Sequence, residues 1–253
     1  MLFRSPNPNE TTAEDDHSRW WSRDQLAQCL QGGGCLICRA LARFEAKNIH
    51  SFLYEGMMLP DVRKQFLAGG GFCRRHCLIA LAIEDECWPA GGIGMAMLCE
   101  DLLRLALDAL GKTKTTDRRS PAAQRRDGAQ LFRPSGSCIF CNDSRRKEEI
   151  LIEALEGFAA EEQFRQALQA RGLCIWHGEL AINQWKSEEV RAWISAIMFE
   201  RMRTVAGNLR EAIRKHDHTH QQEKRPERRE AVLRAMELLA GTWEMHSAQE
   251  NQE

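Results

Sequence analysis

The chain has 253 residues, enough for one large or two modest domains that bury their own cores, so size alone demands no stapling metal. Ala and Leu supply 55 residues against 25 for Val, Ile and Thr, with a single Tyr, which favours helix and argues against a sheet-rich sandwich or barrel. Lys plus Arg (35) nearly cancels Asp plus Glu (36), so no global field draws the chain onto nucleic acid or membrane, and any such binding must be local.

Residues 1–19, with two Pro and an acidic run, read as a disordered lead-in. The start lacks the apolar core of a signal peptide, and no apolar run approaches the roughly 18 residues of a membrane span. A cytoplasmic location with no membrane contact is therefore expected, and there thiols stay reduced, so the Cys residues are not read as disulfides. A first module, residues 20–110, opens with a short helix from Ser22, boxed by Gln25 and stopped at Gly32, Gly33 and Gly34. Leu41, Phe44, Ile49, Phe52 and Leu53 then carry a helical pattern toward Pro60, where a short helix begins that ends at Gly69. A third helix starts near Cys73 and a fourth runs over about 93–110.

Residues 111–137 lose the periodicity and hold seven basic against two acidic residues, which marks a basic linker. A second module, residues 138–215, carries helical patterns over 150–158, 164–168, 175–185 and about 187–215. Residues 216–253 form a polar hinge around Pro226 and a last helix over about 228–245.

The chain states one pattern twice. Cys35 and Cys38 are followed after 34 residues by Cys73 and His76; Cys138 and Cys141 are followed after 32 by Cys174 and His177. The halves are offset by 103 residues at the first pair and 101 at the second, and Gly71-Phe72 and Gly172-Leu173 precede the two C-x-x-H units. Two side chains three apart can address one ion from a tight turn or a first helical turn, and two such pairs complete a tetrahedron. Three thiolates and one imidazole suit a closed structural Zn²⁺ site. The expected sets are Cys35, Cys38, Cys73 and His76 in the first module and Cys138, Cys141, Cys174 and His177 in the second, with two Zn²⁺ per chain. A crossed arrangement, with Cys35 and Cys38 joined by Cys174 and His177, leaves the same signature. Iron–sulfur ligation is the competing chemistry, although all-Cys ligation is its usual form. Cys29, Cys77, Cys87 and Cys99 have no counterpart in the other half and read as core cysteines.

With a C-x-x-C at Cys35 and Cys38 and Gly71-Phe72-Cys73 leading to His76, the chain resembles a bacterial family of uncharacterised helical proteins with an N-terminal C-x-x-C and later G-F-C-x-x-H motifs. The resemblance covers most of residues 20–215 and implies a ligand assignment, with no activity attached. The Pro usual after the first Cys of such motifs is Leu36 here, and Ile139 in the second half.

Other signals carry less. His177-Gly178-Glu179 offers the H-x-E of zinc deaminases, but their C-x-x-C follows it whereas Cys138 and Cys141 precede it, and His76 has no matching Glu. No phosphate loop, nucleophile elbow or dinucleotide fingerprint occurs. Glu148-Glu149 and Glu161-Glu162 lack a neighbouring partner and are expected to face water, while Trp176, Trp185 and Trp193 are expected in the core. The paired arginines Arg118-Arg119 and Arg125-Arg126 read as a solvated linker, with phosphate contact as the alternative. The sequence thus predicts an all-α, internally duplicated protein, non-enzymatic, whose metal-centred helical modules bind another macromolecule, protein before nucleic acid. Alternatives are an iron–sulfur redox or sensor protein with one cluster per module and, more weakly, a nucleic-acid-binding regulator.

Overall fold

The computed structural model describes residues 21–88, 92–115, 138–215 and 228–242, and among them every regular element is a helix. The expected lead-in, most of the basic linker with its paired arginines, and the hinge lie outside the described residues. In chain order, a helical stretch at residues 21–27 is followed by Leu36–Tyr54, a 3₁₀ turn at Gly56–Met58, and helices Pro60–Ala68, Arg74–Cys87 and Gly94–Thr115. After the gap come Ile139–Phe158, Glu162–Arg171, Ile175–Gln184, Glu188–Arg214 and Arg228–Ala240.

The described residues fall into two units, and each draws on both halves of the chain. The first takes residues through Leu41 together with Lys147–Glu244, and the second takes Ala42–Arg146. The expected modules, by contrast, place each half of the chain in its own unit. The division falls inside two helices. Leu36–Tyr54 begins in the first unit and continues in the second, and Ile139–Phe158 does the reverse.

In the first unit, Leu26, Ile37, Leu151, Ile152, Leu155, Phe164, Leu168 and Ile194 lose all or nearly all contact with water, each burial supplying roughly 1.5–3 kcal/mol before entropy is counted. The Glu188–Arg214 helix packs against Ile175–Gln184 and Arg228–Ala240. Its start is over-determined: Ser187 accepts a hydrogen bond from the Val190 N–H at 3.3 Å, the Glu156 carboxylate accepts from the Lys186 and Ser187 N–H groups at 2.7 Å each, and Glu188 and Glu189 occupy the first turn. Trp185 is buried as expected and donates its indole N–H to the Ile152 carbonyl at 2.8 Å.

The core of the second unit is aromatic. Phe52, Phe66, Phe72 and Phe140 stack or meet edge to face with centroids 4.8–5.9 Å apart, joined by Ile49, Ile83 and Leu98. The buried Glu84 carboxylate accepts from the Met95 N–H at 2.9 Å and so caps the helix that begins at Gly94. In each unit a glycine makes the turn into the C-x-x-H. Gly71 has φ +84° and Gly172 φ +63°, backbone that a side chain resists, and each lies two residues before the cysteine that caps the next helix.

Candidate metal centres

The C-x-x-H units sit at helix starts because their cysteines are N-caps. Cys73 and Cys174 have extended backbone, and each sulfur accepts from the backbone N–H of the histidine three residues on at 3.5 Å, so both ligands turn to one side of the first turn. The C-x-x-C units open the two helices that begin at Leu36 and Ile139, and each again sets its pair of side chains three residues apart on a first turn.

The eight expected residues form two groups of four, and the pairs are crossed with respect to the within-half assignment. In the first unit Cys35 and Cys38 meet Cys174 and His177; in the second, Cys73 and His76 meet Cys138 and Cys141. The candidate ligand atoms of each group all lie within 4.8 Å of one another. Around Nδ1 of His177 stand the sulfurs of Cys174, Cys38 and Cys35 at 3.1, 3.3 and 3.4 Å, and the Cys38 and Cys174 sulfurs are 3.7 Å apart. Around Nδ1 of His76 stand Cys73, Cys141 and Cys138 at 3.2, 3.4 and 3.5 Å, with Cys141 and Cys73 3.6 Å apart. A tetrahedral ion with metal–sulfur bonds of about 2.3 Å and metal–nitrogen bonds of about 2.0–2.1 Å has sulfur–sulfur edges of about 3.8 Å and sulfur–nitrogen edges of about 3.5 Å. Both groups match those edges, so both offer room and donors for a single metal ion.

The charges point the same way. Burial opposes a proton on His177, but the Cys174 and Cys35 sulfurs and the Glu148 carboxylate outweigh it and push the imidazole up to about 12. His76, against the same opposition from burial, is raised to about 10 by Cys138 and Glu45. Hydrogen bonds from Cys35 and Cys38 hold the Cys174 thiol far below its usual range. Burial raises Cys138, yet the hydrogen bond to His76 prevails and brings it down to about 6. Cys38 is pushed up to about 12 by its bond to Cys174, and Cys141 to about 12 by burial and Cys73. Each group draws positive charge to its centre, which is the electrostatic condition for a divalent cation.

Sequence reasoning missed the carboxylates behind the histidines. Glu148, expected to face water, is half-buried. Its Oε1 lies 2.9 Å from Nε2 of His177 and also accepts the indole N–H of Trp176 at 2.9 Å. Trp176 is accordingly 57 % exposed, not in the core. Glu161 also has a partner, since Arg23 donates to it at 2.8 Å. In the second unit the buried Glu45 stands 3.5 Å from Nε2 of His76, held by Ser144 at 2.8 Å and by Arg75 at 2.7 Å. A signal was available: Glu45 and Glu148 both lie ten residues after the first cysteine of their C-x-x-C. Ten residues on a helix leads from one unit into the other, so each C-x-x-C helix gives sulfurs to one group and a carboxylate to the other group's histidine. With Nε2 turned to a carboxylate, Nδ1 is the nitrogen left for an ion.

Of the unmatched cysteines, Cys29 is a core residue as expected, whereas Cys77 and Cys87 are half-buried and Cys99 is exposed. A family model described as a family of unknown function, DUF6062, matches residues 28–246. Comparison with the curated proteins and with the solved structures finds no match.

Proposed function

We propose for this chain, which belongs to the DUF6062 family, a non-enzymatic role: a helical scaffold organised by two structural Cys₃His zinc sites that presents its surface to another protein. The observation that carries the reading is the agreement of eight sulfur–sulfur and sulfur–nitrogen separations with the edges of a single-ion tetrahedron. Four protein ligands close the coordination shell and leave no position for water or substrate, which is the structural and not the catalytic form of a zinc site. An iron–sulfur cluster distributes its ligands over several irons and so spreads them wider than one tetrahedron allows, which favours zinc over the cluster alternative.

Zinc with three thiolates and a neutral imidazole carries one net negative charge. In the first unit the half-buried Arg201 lies within electrostatic reach of Cys35 and Cys174, where it offsets that charge. Exposed Val232, Leu233, Met236 and Leu239 share one side of the Arg228–Ala240 helix, next to the stripe of buried Ala231, Ala235 and Leu238, and supply the apolar area on which the protein-partner reading rests. No described helix is long and apolar enough to cross a membrane.

Elemental analysis of the purified chain tests the assignment. Two zinc ions per colourless chain are expected; a brown chain whose absorption bleaches on oxidation, with iron in place of zinc, overturns it.

A further inference from the structure

The two metal centres are built alike but are not equally protected. In the first, Cys35, Cys174 and His177 are buried and one cysteine, Cys38, is half-buried, and Glu148 grips His177 at 2.9 Å. In the second, Cys73 and Cys141 are half-buried and Nε2 of His76 lies 3.5 Å from Glu45 without a hydrogen bond. The second centre also has a spare thiol beside it. Cys77 follows Cys73 by one helical turn, and its N–H donates to the Cys73 carbonyl at 2.8 Å. Cys73, the N-cap, and Cys77, one turn on, are within electrostatic reach of each other, and a spacing of about 6 Å between Cα atoms falls inside the window of about 4.4–6.8 Å that a disulfide spans; joining the sulfurs requires the Cys73 side chain to leave the His76 N–H that it caps. The corresponding position after Cys174 is Gly178, where even a Cβ would meet the Met198 Cε at 2.8 Å, so the first centre has neither a thiol there nor space for one.

We propose that Cys73 and Cys77 form an oxidation site for hydroperoxides, at which disulfide formation dismantles the second unit's metal centre and leaves the first intact. This rests on the zinc reading above. The Cys73 thiolate attacks one peroxide oxygen; the sulfur–oxygen bond forms, the oxygen–oxygen bond breaks and hydroxide leaves. Cys73 is thereby oxidised to a sulfenic acid and the peroxide is reduced. The Cys77 thiol then attacks the sulfenic sulfur. The disulfide forms, the sulfur–oxygen bond breaks, and the departing hydroxide takes the thiol proton as water. The sum is thiolate, thiol and hydrogen peroxide giving disulfide, water and hydroxide. The ion loses one of its four ligands and is released. Cys99, on the helix packed against this one, lies within electrostatic reach of Cys77 and is the competing resolving thiol.

The test loads the full chain with zinc, adds hydrogen peroxide, follows released zinc with a chromophoric chelator, and maps disulfides by peptide mass spectrometry. The expected result is release of one ion of two, a Cys73–Cys77 linked peptide, and recovery of both on adding dithiothreitol and zinc. In Cys77→Ser, which should hold two ions at rest, release slows at least roughly tenfold and the Cys73 sulfenic acid becomes trappable by dimedone. Equal release of both ions, unchanged release from Cys77→Ser, or a Cys77–Cys99 disulfide with both ions retained overturns the proposal. Failure of the zinc reading shows separately, as fewer than two zinc ions before any peroxide is added, and overturns both.

Discussion

A histidine that binds metal through Nδ1 must have Nε2 occupied elsewhere, and here the second nitrogen of His177 meets Glu148 at 2.9 Å. Glu148→Ala should weaken metal binding at the first centre about 10–100-fold, while Glu148→Gln, whose amide oxygen still accepts from Nε2–H, should lose less. Chelator competition on the two variants measures this, and equal affinities for the wild type and Glu148→Ala would remove the carboxylate's role. Protons and metal compete for the same lone pairs, and the Cys38 and Cys141 thiols, raised to about 12, and His76, raised to about 10, are protonated at neutral pH. Metal binding must expel those protons, so affinity should fall as pH falls, and calorimetry in buffers of different ionisation enthalpy should show proton release. An affinity independent of pH would contradict it. The eight residues of the two groups were legible in the sequence because a C-x-x-C and a C-x-x-H recur at matched spacing. Glu45 and Glu148 were not, because a lone carboxylate amid polar residues looks like a solvated face unless its offset from the cysteines is compared in both halves.

At the scale of the element, the helices that carry the candidate ligands begin where those residues are. The sequence pattern placed helix starts near Cys73 and at Ile175, and the structure begins these helices at Arg74 and Ile175, each with a cysteine as its N-cap. It placed the helix after Cys141 too late, near Ile150, because residues 142–149 are almost wholly polar and carry no apolar period; the helix in fact begins at Ile139. Its first turns are held by the cysteines and the buried Phe140 at one end and Glu148 at the other. Gly172, with φ 63° and ψ −161°, occupies backbone that is essentially glycine's alone. Gly172→Ala should cost ~1–3 kcal/mol in denaturant unfolding. Its Cβ would also press on the Arg201 Cδ at 3.1 Å, so a neutral substitution would contradict the geometry of the turn into Cys174.

For the molecule as a whole, composition announced an all-helical chain and the repeat announced two clusters, but neither settled which pair meets which. The offsets of 103 and 101 residues are compatible with either pairing, because spacing along a chain constrains a pair three residues apart and says little about partners more than thirty residues away. The crossing depends on two helices, Leu36–Tyr54 and Ile139–Phe158, that each serve both units, a tertiary property without a local signature. A structural zinc contributes ~10–16 kcal/mol, as much as the about 5–15 kcal/mol net stability of a typical domain. Stripping both ions with a strong chelator should therefore abolish the cooperative thermal transition, and an unchanged melting curve would show that the fold does not depend on them.

The pairing itself is decided by the zinc content of two double variants. If Cys35 shares an ion with Cys174, and Cys73 with Cys138, then Cys35→Ser with Cys174→Ser removes one centre and leaves about one zinc per chain, whereas Cys35→Ser with Cys73→Ser damages both and leaves none. The opposite outcome, one zinc in the Cys35/Cys73 variant and none in the Cys35/Cys174 variant, would place each centre within its own half of the chain and contradict this account.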